Sequence, residues 1–486
     1  MKRILVTALA LGLWSCGEEA SEAPEEEVKA VETNLIAAEA KTIAAGLRDA
    51  ALAGSGAYTL LESLTTEVGP RLPGTPGDAR AIAWTAAKFR ALGYDKVWVE
   101  TFTMPGWVRV SATAEIVSPY PQKLVITSLG WSVSTPAGGI EAEVAHFATL
   151  AALMAADPAL VKGRIVFISN RMERFRDGSG YRSAVGARGD GPSEAAKKGA
   201  LAIVIRSIGT DNHRLAHTGG LTYQDGVPRI AATALSNPDA DILVRQIERG
   251  QPVILRLKVL NRDLGTIETA NVIGEITGRE AAQEVVIIGG HLDSWDLGTG
   301  AVDDGAGVVI TMAAGAMIGE LEEPPRRTIR VVAFGAEEQG LFGARAYLEA
   351  HKNEVQNHII GAESDFGAGR IWAFRPGVAE AALPVMREIW RVLEPLGIEF
   401  GDGDGFGGPD LIPLQAAGMA VLGLRQDGTD YFDLHHSADD TLDKVDAKTL
   451  DQNVAAYAAF AYLAAEYEGR FNAPKDAEKP LGPDRE

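Results

Sequence analysis

Histidine and acidic residues follow four of the most apolar segments in this sequence, at the points where buried strands would end. In chain order these are residues 285–288 followed by His291, Asp293, Asp303 and Asp304, residues 329–334 followed by Glu337 and Glu338, residues 359–362 followed by Glu363 and Asp365, and residues 420–424 followed by His435 and His436. Ligands of an open parallel sheet collect outside the carboxyl ends of its strands. The sequence therefore predicts one site that contains these side chains.

The chemistry of this set indicates metal binding. Imidazole and carboxylate groups are typical ligands of catalytic zinc. One carboxylate that uses both oxygens can hold two such ions about 3.5 to 4 Å apart. Five ligands are available in His291, Asp303, Glu338, Asp365 and His436. Glu337 then remains free to act as the general base on a water that bridges the metals.

Each motif also has a simple structural explanation when it is taken alone. Asp303 and Asp304 could cap a helix that begins near Gly305, and Glu337-Glu338 could favour the N-terminus of the following helix. His435-His436 could be a solvated pair in a loop. The occurrence of all the motifs in order, each after a strand, favours the metal site.

The motifs together resemble the carboxypeptidase Q group of the co-catalytic two-zinc aminopeptidases and carboxypeptidases, over roughly residues 60–465. The matching segments are Gly69-Pro70-Arg71-Leu72, Tyr223-Gln224-Asp225-Gly226-Val227-Pro228, Gly290-His291-Leu292-Asp293-Ser294-Trp295-Asp296, Asp303-Asp304-Gly305, Ala336-Glu337-Glu338-Gln339-Gly340, Glu363-Ser364-Asp365 and His435-His436-Ser437.

The resemblance assigns a role to each candidate residue. It implies one zinc held by His291 and Asp365, a second held by Glu338 and His436, Asp303 as the bridge and Glu337 as the base. It also implies that Asp293 orients His291 from behind, and that the peptide bond between Asp303 and Asp304 is cis.

The choice between the two adjacent histidines rests on the family pattern His-Ser/Thr-x-x-Asp/Glu-Thr. This pattern aligns with His436, Ser437, Asp440 and Thr441. Related aminopeptidases often have a tyrosine in the preceding position that hydrogen-bonds the scissile carbonyl, and His435 stands there in this sequence. We therefore hypothesise that His435 stabilises the oxyanion.

The implied activity is exopeptidase cleavage of short peptides, chiefly dipeptides with a free N-terminus. We expect Asp410 and Tyr431 to contact the substrate, and the chain to form a homodimer as members of the group do. The alternatives are an aminopeptidase that acts on longer peptides and a hydrolase of another amide. A non-catalytic binding protein should lack ligands or the base, and none is missing.

The elements that must position these residues indicate an α/β fold with a mixed, mostly parallel sheet flanked by helices. From residue 271 onward, apolar strands alternate with glycine-rich or acidic turns and amphipathic helices. We predict a catalytic domain from residues 34–105 and 263–470. A β-rich, protease-associated-like insertion would span 106–262, and its His213 and His217 read as surface or packing residues. Residues 471–486 are expected to be disordered.

The N-terminus has the layout of an exported protein. Met1-Lys2-Arg3 precedes a short apolar run, and Leu13-Trp14-Ser15-Cys16 resembles a bacterial lipoprotein cleavage box. We expect residues 1–16 to be a signal peptide, a lipid on Cys16 as the membrane attachment, and residues 17–33 to be an acidic tether. The mature chain would then face the periplasm or the cell surface. The net charge of -20 argues against nucleic acid as a partner.

Overall fold

Alternating apolar strands and helices build one large sheet with helices packed against it. The computed structural model of the protein describes residues 34–401 and 405–474. Within them the strands are β1 (Lys96–Ser118), β2 (Gln122–Leu124), β3 (Ile126–Ser128), β4 (Ile140–Phe147), β5 (Ile165–Ile168), β6 (Ala202–Arg206), β7 (Ala231–Leu235), β8 (Ile254–Ile276), β9 (Ala281–His291), β10 (Arg327–Phe334), β11 (His358–Glu363), β12 (Ile371–Gly377), β13 (Glu399–Phe400) and β14 (Val421–Gln426).

The helices of the same residues lie between and around these strands. They are α1 (Ala38–Ala53), α2 (Ala57–Ser63), α3 (Pro76–Ala91), α4 (Leu150–Ala155), α5 (Gly180–Gly189), α6 (Gly191–Lys197), α7 (Asn237–Ile247), α8 (Ala306–Gly319), α9 (Phe342–His351), α10 (Leu383–Leu393), α11 (Ile412–Ala416), α12 (Tyr431–Leu434) and α13 (Ala447–Glu466). The predicted α/β fold with a mostly parallel sheet is confirmed.

The centre of the sheet consists of the parallel strands β14, β11, β9 and β10, in that order. β8 pairs with β10 and β12 pairs with β14, both antiparallel. Phe334 lies opposite His291 and Glu363 lies opposite Gly289. The carboxyl ends of β9, β10 and β11 therefore meet at one edge, where the candidate side chains follow.

The insertion differs from the β-rich region that the sequence suggested. Strands β4, β5, β6 and β7 are parallel to one another, and helices α4 to α7 connect or follow them. Every residue of β5, β6 and β7 is buried. Strands that are covered on both faces read as continuous apolar runs, and this composition is the normal one for parallel strands between helices.

A long antiparallel ribbon of β1 and β8 joins the insertion to the catalytic sheet. The pairing runs from Lys96 opposite Glu275 to Ser118 opposite Ile254. The domain boundaries predicted near residues 105 and 262 fall in the middle of this ribbon, where Gly106 pairs with Gly265. The catalytic part and the insertion thus share two continuous strands.

Helix α8 with its preceding turn, Ala301–Gly319, is long and apolar enough to meet the length and composition of a membrane-spanning helix. It is buried inside the protein and packs against α13 and β9, as a core helix does. Phe471, at the start of the segment expected to be disordered, is also buried and contacts Tyr467. The predicted signal peptide, Cys16 and the tether lie outside the described residues.

Candidate active site

The candidate ligands converge at the carboxyl edge of the central strands. His291 is the last residue of β9, Glu337 and Glu338 follow β10, and Asp365 follows β11. His435 and His436 come directly after α12, at the end of the connection that leaves β14. The loop with Asp303 precedes α8. Residues as far apart along the chain as His291 and His436 thus meet in one place.

One group of donors consists of His291, Asp303 and Asp365, which are buried or half-buried. His291 Nε2 lies 3.0 Å from Asp303 Oδ1 and 3.6 Å from Asp365 Oδ1. Burial by itself would lower the pKa of His291, but the charges of Asp365 and Asp303 raise it well above its usual value. This corner of the site is therefore strongly negative.

A second group shares Asp303 with the first. His436 Nε2 lies 2.9 Å from Glu338 Oε2 and 3.3 Å from Asp303 Oδ2. Burial raises the pKa of Glu338 well above its usual range, and the nearby charge of Asp303 adds to the effect. Asp303 therefore presents one oxygen to each histidine, which is the arrangement expected of a bridging carboxylate.

The donor set fits metal ions. Asp303 Oδ2 and Glu338 Oε1 are buried and have no hydrogen-bond partner among the described residues. Two ligands of one tetrahedral zinc lie about 3.3 Å apart when each is about 2.0 to 2.1 Å from the ion. The measured separations of 2.9 to 3.6 Å lie close to that value. Cations would also complete the coordination of the two unpartnered oxygens.

His435 stacks on His436 at a ring-centroid distance of 3.5 Å. Its Nε2 lies 3.9 Å from Asp303 Oδ2, and its Nδ1 is buried without a partner among the described residues. Burial and then the neighbouring His436 hold the pKa of His435 well below its usual value, so the ring is neutral. His436 is nearer than His435 to both Asp303 and Glu338, and both histidines lie close enough to Asp303 to hold a metal ion with it. The division of roles between the two histidines stays a prediction.

Asp293 lies behind the site, and its carboxylate holds the loop that contains Glu337 and Glu338. His291 Nδ1 donates to the backbone oxygen of Asp293 at 3.0 Å, and the Asp293 carboxylate is 3.7 Å away. That carboxylate accepts hydrogen bonds from the backbone N–H groups of Glu337 and Glu338, at 3.0 and 3.3 Å. Asp293 therefore fixes the base and ligand loop as well as the histidine.

Asp304 connects the end of β9 to the start of α8. Its carboxylate accepts from the backbone N–H of His291 and from that of Gly307, each at 3.0 Å. The helix-start explanation thus holds for Asp304, whose side chain faces away from the ligands. The peptide bond between Asp303 and Asp304 is cis, as the family resemblance implied.

Glu337 is half-buried, and it lines the cavity above the ligands. Burial raises the pKa of its carboxyl well above the usual range, and the charges of Asp365 and Glu338 act in the same direction. A general base works best when its pKa is close to the working pH. The pKa of Glu338 is raised in the same way, so the two acids differ in their contacts: Trp295 donates to Glu338, whereas the Glu337 carboxylate makes no hydrogen bond among the described residues.

Sequence reasoning missed several groups that support the ligands. Trp295 Nε1 donates to Glu338 Oε2 at 2.6 Å. Asp440 accepts from the backbone N–H groups of Val302 and Asp303, at 2.6 and 3.3 Å. Trp295 and Asp440 both lie within the motifs quoted above. The motifs identify these residues but do not show which ligand each one contacts.

Asp410 does not lie where we expected it. Its side chain is fully buried, and its backbone N–H donates to Glu363 Oε2 at 2.8 Å. Asp410 is not among the residues that line the cavity, whereas Glu363 and Tyr431 are. The turn that holds residue 410 folds under Glu363, so Asp410 supports the cavity wall and a direct contact with substrate is not available to it.

The site opens into a cavity of about 630 Å³. Its floor contains the candidate ligands and Glu337, and its walls include Phe366, Trp372, Phe406 and Phe432. Residues 177–182 and 220–222 of the insertion form another wall. The cavity is therefore built by both parts of the chain.

The insertion also holds the loop that carries the two histidines. His217 is buried, and its Nε2 lies 2.8 Å from the Asp211 carboxylate oxygen Oδ1. Its Nδ1 donates to the backbone oxygen of His435 at 2.6 Å. The backbone N–H of Thr218 donates to the oxygen of His436 at 2.8 Å. His217 is thus a packing residue whose partner is the Asp211 carboxylate, six positions earlier in the chain. His213 is half exposed, with Nδ1 3.4 Å from Asp439 Oδ2.

A parallel sheet with histidines and carboxylates gathered at its strand ends defines a metal-dependent hydrolase of the zinc-peptidase type. Comparison with known proteins agrees: the model of "Peptidase family M28" matches residues 271–461. Carboxypeptidase Q of Mus musculus is 34% identical over 413 residues, which cover 85% of this chain and 86% of that protein. The chain belongs to peptidase family M28.

Solved structures give the same result. An M28 peptidase precursor from Shewanella amazonensis is 46% identical, with a TM-score of 0.88 over 89% of this chain and 98% of that one. A zinc aminopeptidase from Bacillus subtilis is 21% identical, with a TM-score of 0.62 over 84% and 93% of the two chains. The chain is thus a metallopeptidase with peptides as its substrate class.

Proposed function

We propose that this chain is a two-zinc exopeptidase that hydrolyses short peptides, chiefly dipeptides with a free N-terminus. The observation that carries the proposal is the position of Asp303, which directs one oxygen to His291 and the other to His436. A single metal would not require both oxygens of one buried carboxylate to face separate groups of donors. His291 and Asp365 would hold one ion, and Glu338 and His436 the other.

Zinc bound by these residues would polarise the scissile carbonyl and lower the pKa of a water molecule. Glu337 would take the proton of the attacking water and pass it to the nitrogen of the leaving amine. The hydrogen bond from its backbone N–H to the Asp293 carboxylate would hold Glu337 in place during both transfers. The adjacent Glu338 accepts a hydrogen bond from Trp295 and would serve as a metal ligand, whereas Glu337 would serve as the base.

His435 is the candidate for stabilising the carbonyl oxygen as it gains negative charge. The ring is buried and neutral, and it borders the cavity. A neutral imidazole carries one N–H donor, which can serve as an oxyanion-hole group. Tyr431, whose ring centroid lies 5.1 Å from that of His435, forms the adjoining wall.

Hydrolysis of defined peptides tests this proposal. The chelator-treated chain, with and without added zinc, would be given free dipeptides, their N-acetylated forms and the matching tripeptides. We expect zinc-dependent cleavage of free dipeptides and little cleavage of acetylated ones. Cleavage of tripeptides from the amino end would instead establish an aminopeptidase, and absence of cleavage by the zinc-loaded chain would contradict a peptidase.

The remaining proposals concern location and assembly. We propose export, a lipid on Cys16 and residence at the periplasmic or cell-surface side of a bacterial membrane, from the sequence alone. A homodimer and a protease-associated character of the insertion are proposed from the family resemblance. Mass spectrometry of the mature N-terminus would test the lipid, and light scattering would test the dimer.

A further inference from the structure

Trp131 lies in the wall of the cavity, in a backbone conformation that is unusual for its residue type. It follows strand β3 in the insertion, and its φ of 68° places it in the left-handed region. There the Cβ atom approaches the following carbonyl oxygen too closely, so a bulky residue is a true outlier. Strain of this kind persists only where the surrounding structure enforces it, and it is concentrated at functional sites. Trp131 is therefore a candidate functional residue.

Backbone hydrogen bonds on both sides hold Trp131 in this conformation. The N–H of Ser132 donates to the oxygen of Leu129 at 3.1 Å, which closes a turn around Trp131. The N–H of Leu221 donates to the oxygen of Gly130 at 3.2 Å and ties the turn to a second segment of the insertion. The tryptophan cannot relax to an ordinary φ without the loss of these bonds.

The turn lies against the part of the site that contains Glu338. A Cβ atom at Gly130 would come within 2.1 Å of Cη2 of Trp295, so only glycine allows the backbone to approach that ring. Trp295 in turn donates to Glu338. Trp131 packs against the apolar cluster that contains Trp295 and Trp107. The insertion thus places Trp131 on the Glu338 side of the cavity.

The indole ring of Trp131 is left open toward the cavity. The ring is half-buried and lines the cavity, and its N–H makes no hydrogen bond among the described residues. The other tryptophans of the described residues each donate such a bond; these are Trp84, Trp98, Trp107, Trp295, Trp372 and Trp390. A partly buried indole N–H usually has an acceptor. Both the face and the N–H of Trp131 are therefore available to a molecule that enters the cavity.

Trp131 and Leu221 together form an apolar corner of the cavity. The bridge between Gly130 and Gly220 places the two residues next to each other, since each follows one of these glycines. Leu221 is buried and lines the cavity together with the uncharged Thr222. An aromatic face bordered by an aliphatic side chain stabilises apolar groups by removing them from water. The apolar corner is therefore suited to an aromatic or large aliphatic side chain.

We propose that Trp131 binds one side chain of the substrate and gives the enzyme a preference for peptides with an aromatic or large aliphatic residue at that position. The inference rests on the proposed peptidase function and deepens it, because it names the class of peptide. The strained turn is the means by which the insertion directs the indole ring into the cavity. A single methylene group in an apolar pocket can change substrate selection about 10- to 200-fold.

The test uses two series of dipeptides, X-Ala and Ala-X, in which X is alanine, leucine, phenylalanine or lysine. We would measure kcat and KM with the zinc-loaded wild type, Trp131→Ala, Trp131→Gly, Trp131→Phe and the control Tyr120→Ala. Tyr120 is an exposed aromatic residue of the insertion that does not line the cavity.

We expect the wild type to favour the leucine and phenylalanine members of one series over Ala-Ala by at least tenfold in kcat/KM, which corresponds to about 1.4 kcal/mol. Trp131→Ala and Trp131→Gly should reduce this preference to within about twofold, mainly through KM, and leave cleavage of Ala-Ala little affected. Trp131→Phe keeps an aromatic face and should retain most of the preference. Tyr120→Ala should keep the wild-type preference.

The glycine and alanine variants also test the strain without reference to activity. Both lack the ring, but glycine adopts a φ of 68° without a clash of Cβ. Trp131→Gly should therefore unfold at a higher urea concentration than Trp131→Ala, although the two variants have the same kinetics. A midpoint for Trp131→Gly that equals or falls below that of Trp131→Ala would overturn the inference that the turn is strained to present the ring.

Equal cleavage of all dipeptides by the wild type would overturn the proposal, and so would a preference that both ringless variants retain. Preference for lysine in the affected series would also overturn it, because it would indicate a cation on the ring face. An equal loss on every substrate, Ala-Ala included, would indicate a general defect of the site and contradict a contact with one side chain. In all these cases the peptidase function stands, since dipeptides are cleaved. If the zinc-loaded wild type cleaves no dipeptide, the proposed function itself fails.

Discussion

Adjacent acidic residues can carry different functions when their surroundings differ. Glu338 accepts a hydrogen bond from Trp295 and lies against His436, so its carboxylate is committed to the ligand group. The Glu337 carboxylate lines the cavity and makes no hydrogen bond or ion pair among the described residues. Burial and the surrounding acids raise the pKa of both carboxyls. The contacts of Glu338 with Trp295 and His436 therefore separate the ligand from the base.

Glu337→Gln should therefore abolish turnover without releasing metal. An amide of the same size cannot accept the proton of the attacking water, so kcat should fall about 10²- to 10⁴-fold. Zinc content, measured by mass spectrometry, should remain equal to that of the wild type. Glu349→Gln, on an exposed residue of α9, is the control and should keep full activity. A variant that retains more than a tenth of wild-type kcat would rule out Glu337 as the base.

Replacement of each of the two stacked histidines by alanine should have a different effect on bound zinc and on activity. His436→Ala removes a donor that contacts both Glu338 and Asp303, so it should reduce bound zinc and activity together. His435→Ala should keep the zinc but lower kcat/KM by about 10²-fold or more, as removal of an oxyanion donor does. If His435→Ala stays within a few fold of the wild type, the oxyanion hypothesis fails. If it loses zinc and His436→Ala does not, the two roles are exchanged.

At the scale of elements, the loop after α12 depends on the insertion for its position. The buried pair Asp211 and His217 reaches the backbone oxygen of His435, and Thr218 reaches that of His436. Arg174 adds ion pairs to Asp430 and Asp433, before the histidines. Ligands that are oriented by such outer contacts bind metal more tightly than free ones.

His217→Ala should weaken zinc binding although His217 is not a ligand. It leaves the buried His435 oxygen without its donor, at a cost of about 1 to 3 kcal/mol. It also removes one of the partners of the Asp211 carboxylate, which keeps those from the His213 N–H and Asn237. We expect zinc affinity to fall about 10- to 100-fold. Competition with a chromogenic chelator measures this affinity. His213→Ala, at an exposed neighbouring histidine, should change it little; equal effects from both variants would refute a positioning role for His217.

His358, the first residue of β11, predicts a pH dependence of stability. Its Nδ1 donates to the Glu354 oxygen and its Nε2 accepts from Tyr347, which in turn accepts from Arg330. Burial, and then Arg330, lower the pKa of His358 to about 4. Between pH 4 and 6.5 the unfolded chain binds a proton that the folded chain rejects, so stability falls as the pH decreases through this window.

Protonation of His358 should lower the free energy of unfolding by at most about 3 kcal/mol, given 1.36 kcal/mol for each pKa unit. Urea unfolding of the chelator-treated wild type and His358→Gln at pH 7 and pH 4.5 measures it. The variant should show a smaller decrease in the free energy of unfolding. Asp78, whose pKa burial raises to about 6, titrates in the same window, but its contribution cancels in this comparison. Parallel decreases in both proteins would contradict the assignment.

The sequence predicted the elements that carry local signals. The apolar runs at 285–288, 329–334 and 359–362 fall inside β9, β10 and β11, and the rule that sites form at strand ends then brought the ligands together. Helix α3 begins at Pro76, because the Thr75 side chain caps it by accepting from the N–H of Asp78. That Thr-Pro start was a readable signal that we did not use.

Contacts between distant segments could not be predicted. His217 binds a backbone oxygen 218 residues away, and no spacing in the sequence indicates that pairing. The insertion read as β-rich because strands buried on both faces carry little periodicity to distinguish parallel from antiparallel pairing.

At the scale of the whole molecule, the fold combines a rigid catalytic edge with a second wall from the insertion. The long β1–β8 ribbon joins the two parts without a flexible linker. The net charge of -20 is compatible with a site that gathers many carboxylates, since cations must balance them. The proposed two-zinc mechanism therefore depends on the number of metal ions that this site binds.

Zinc stoichiometry directly tests whether the site binds two ions that share Asp303. The chelator-treated chain would be titrated with zinc by calorimetry while dipeptide hydrolysis is followed in parallel, with Asp303→Asn as the comparison. We expect two zinc ions per wild-type chain, full activity only near two equivalents, and loss of tight binding at both sites in Asp303→Asn. Binding of a single ion with full activity, or two ions that survive Asp303→Asn unchanged, would contradict a shared bridging carboxylate.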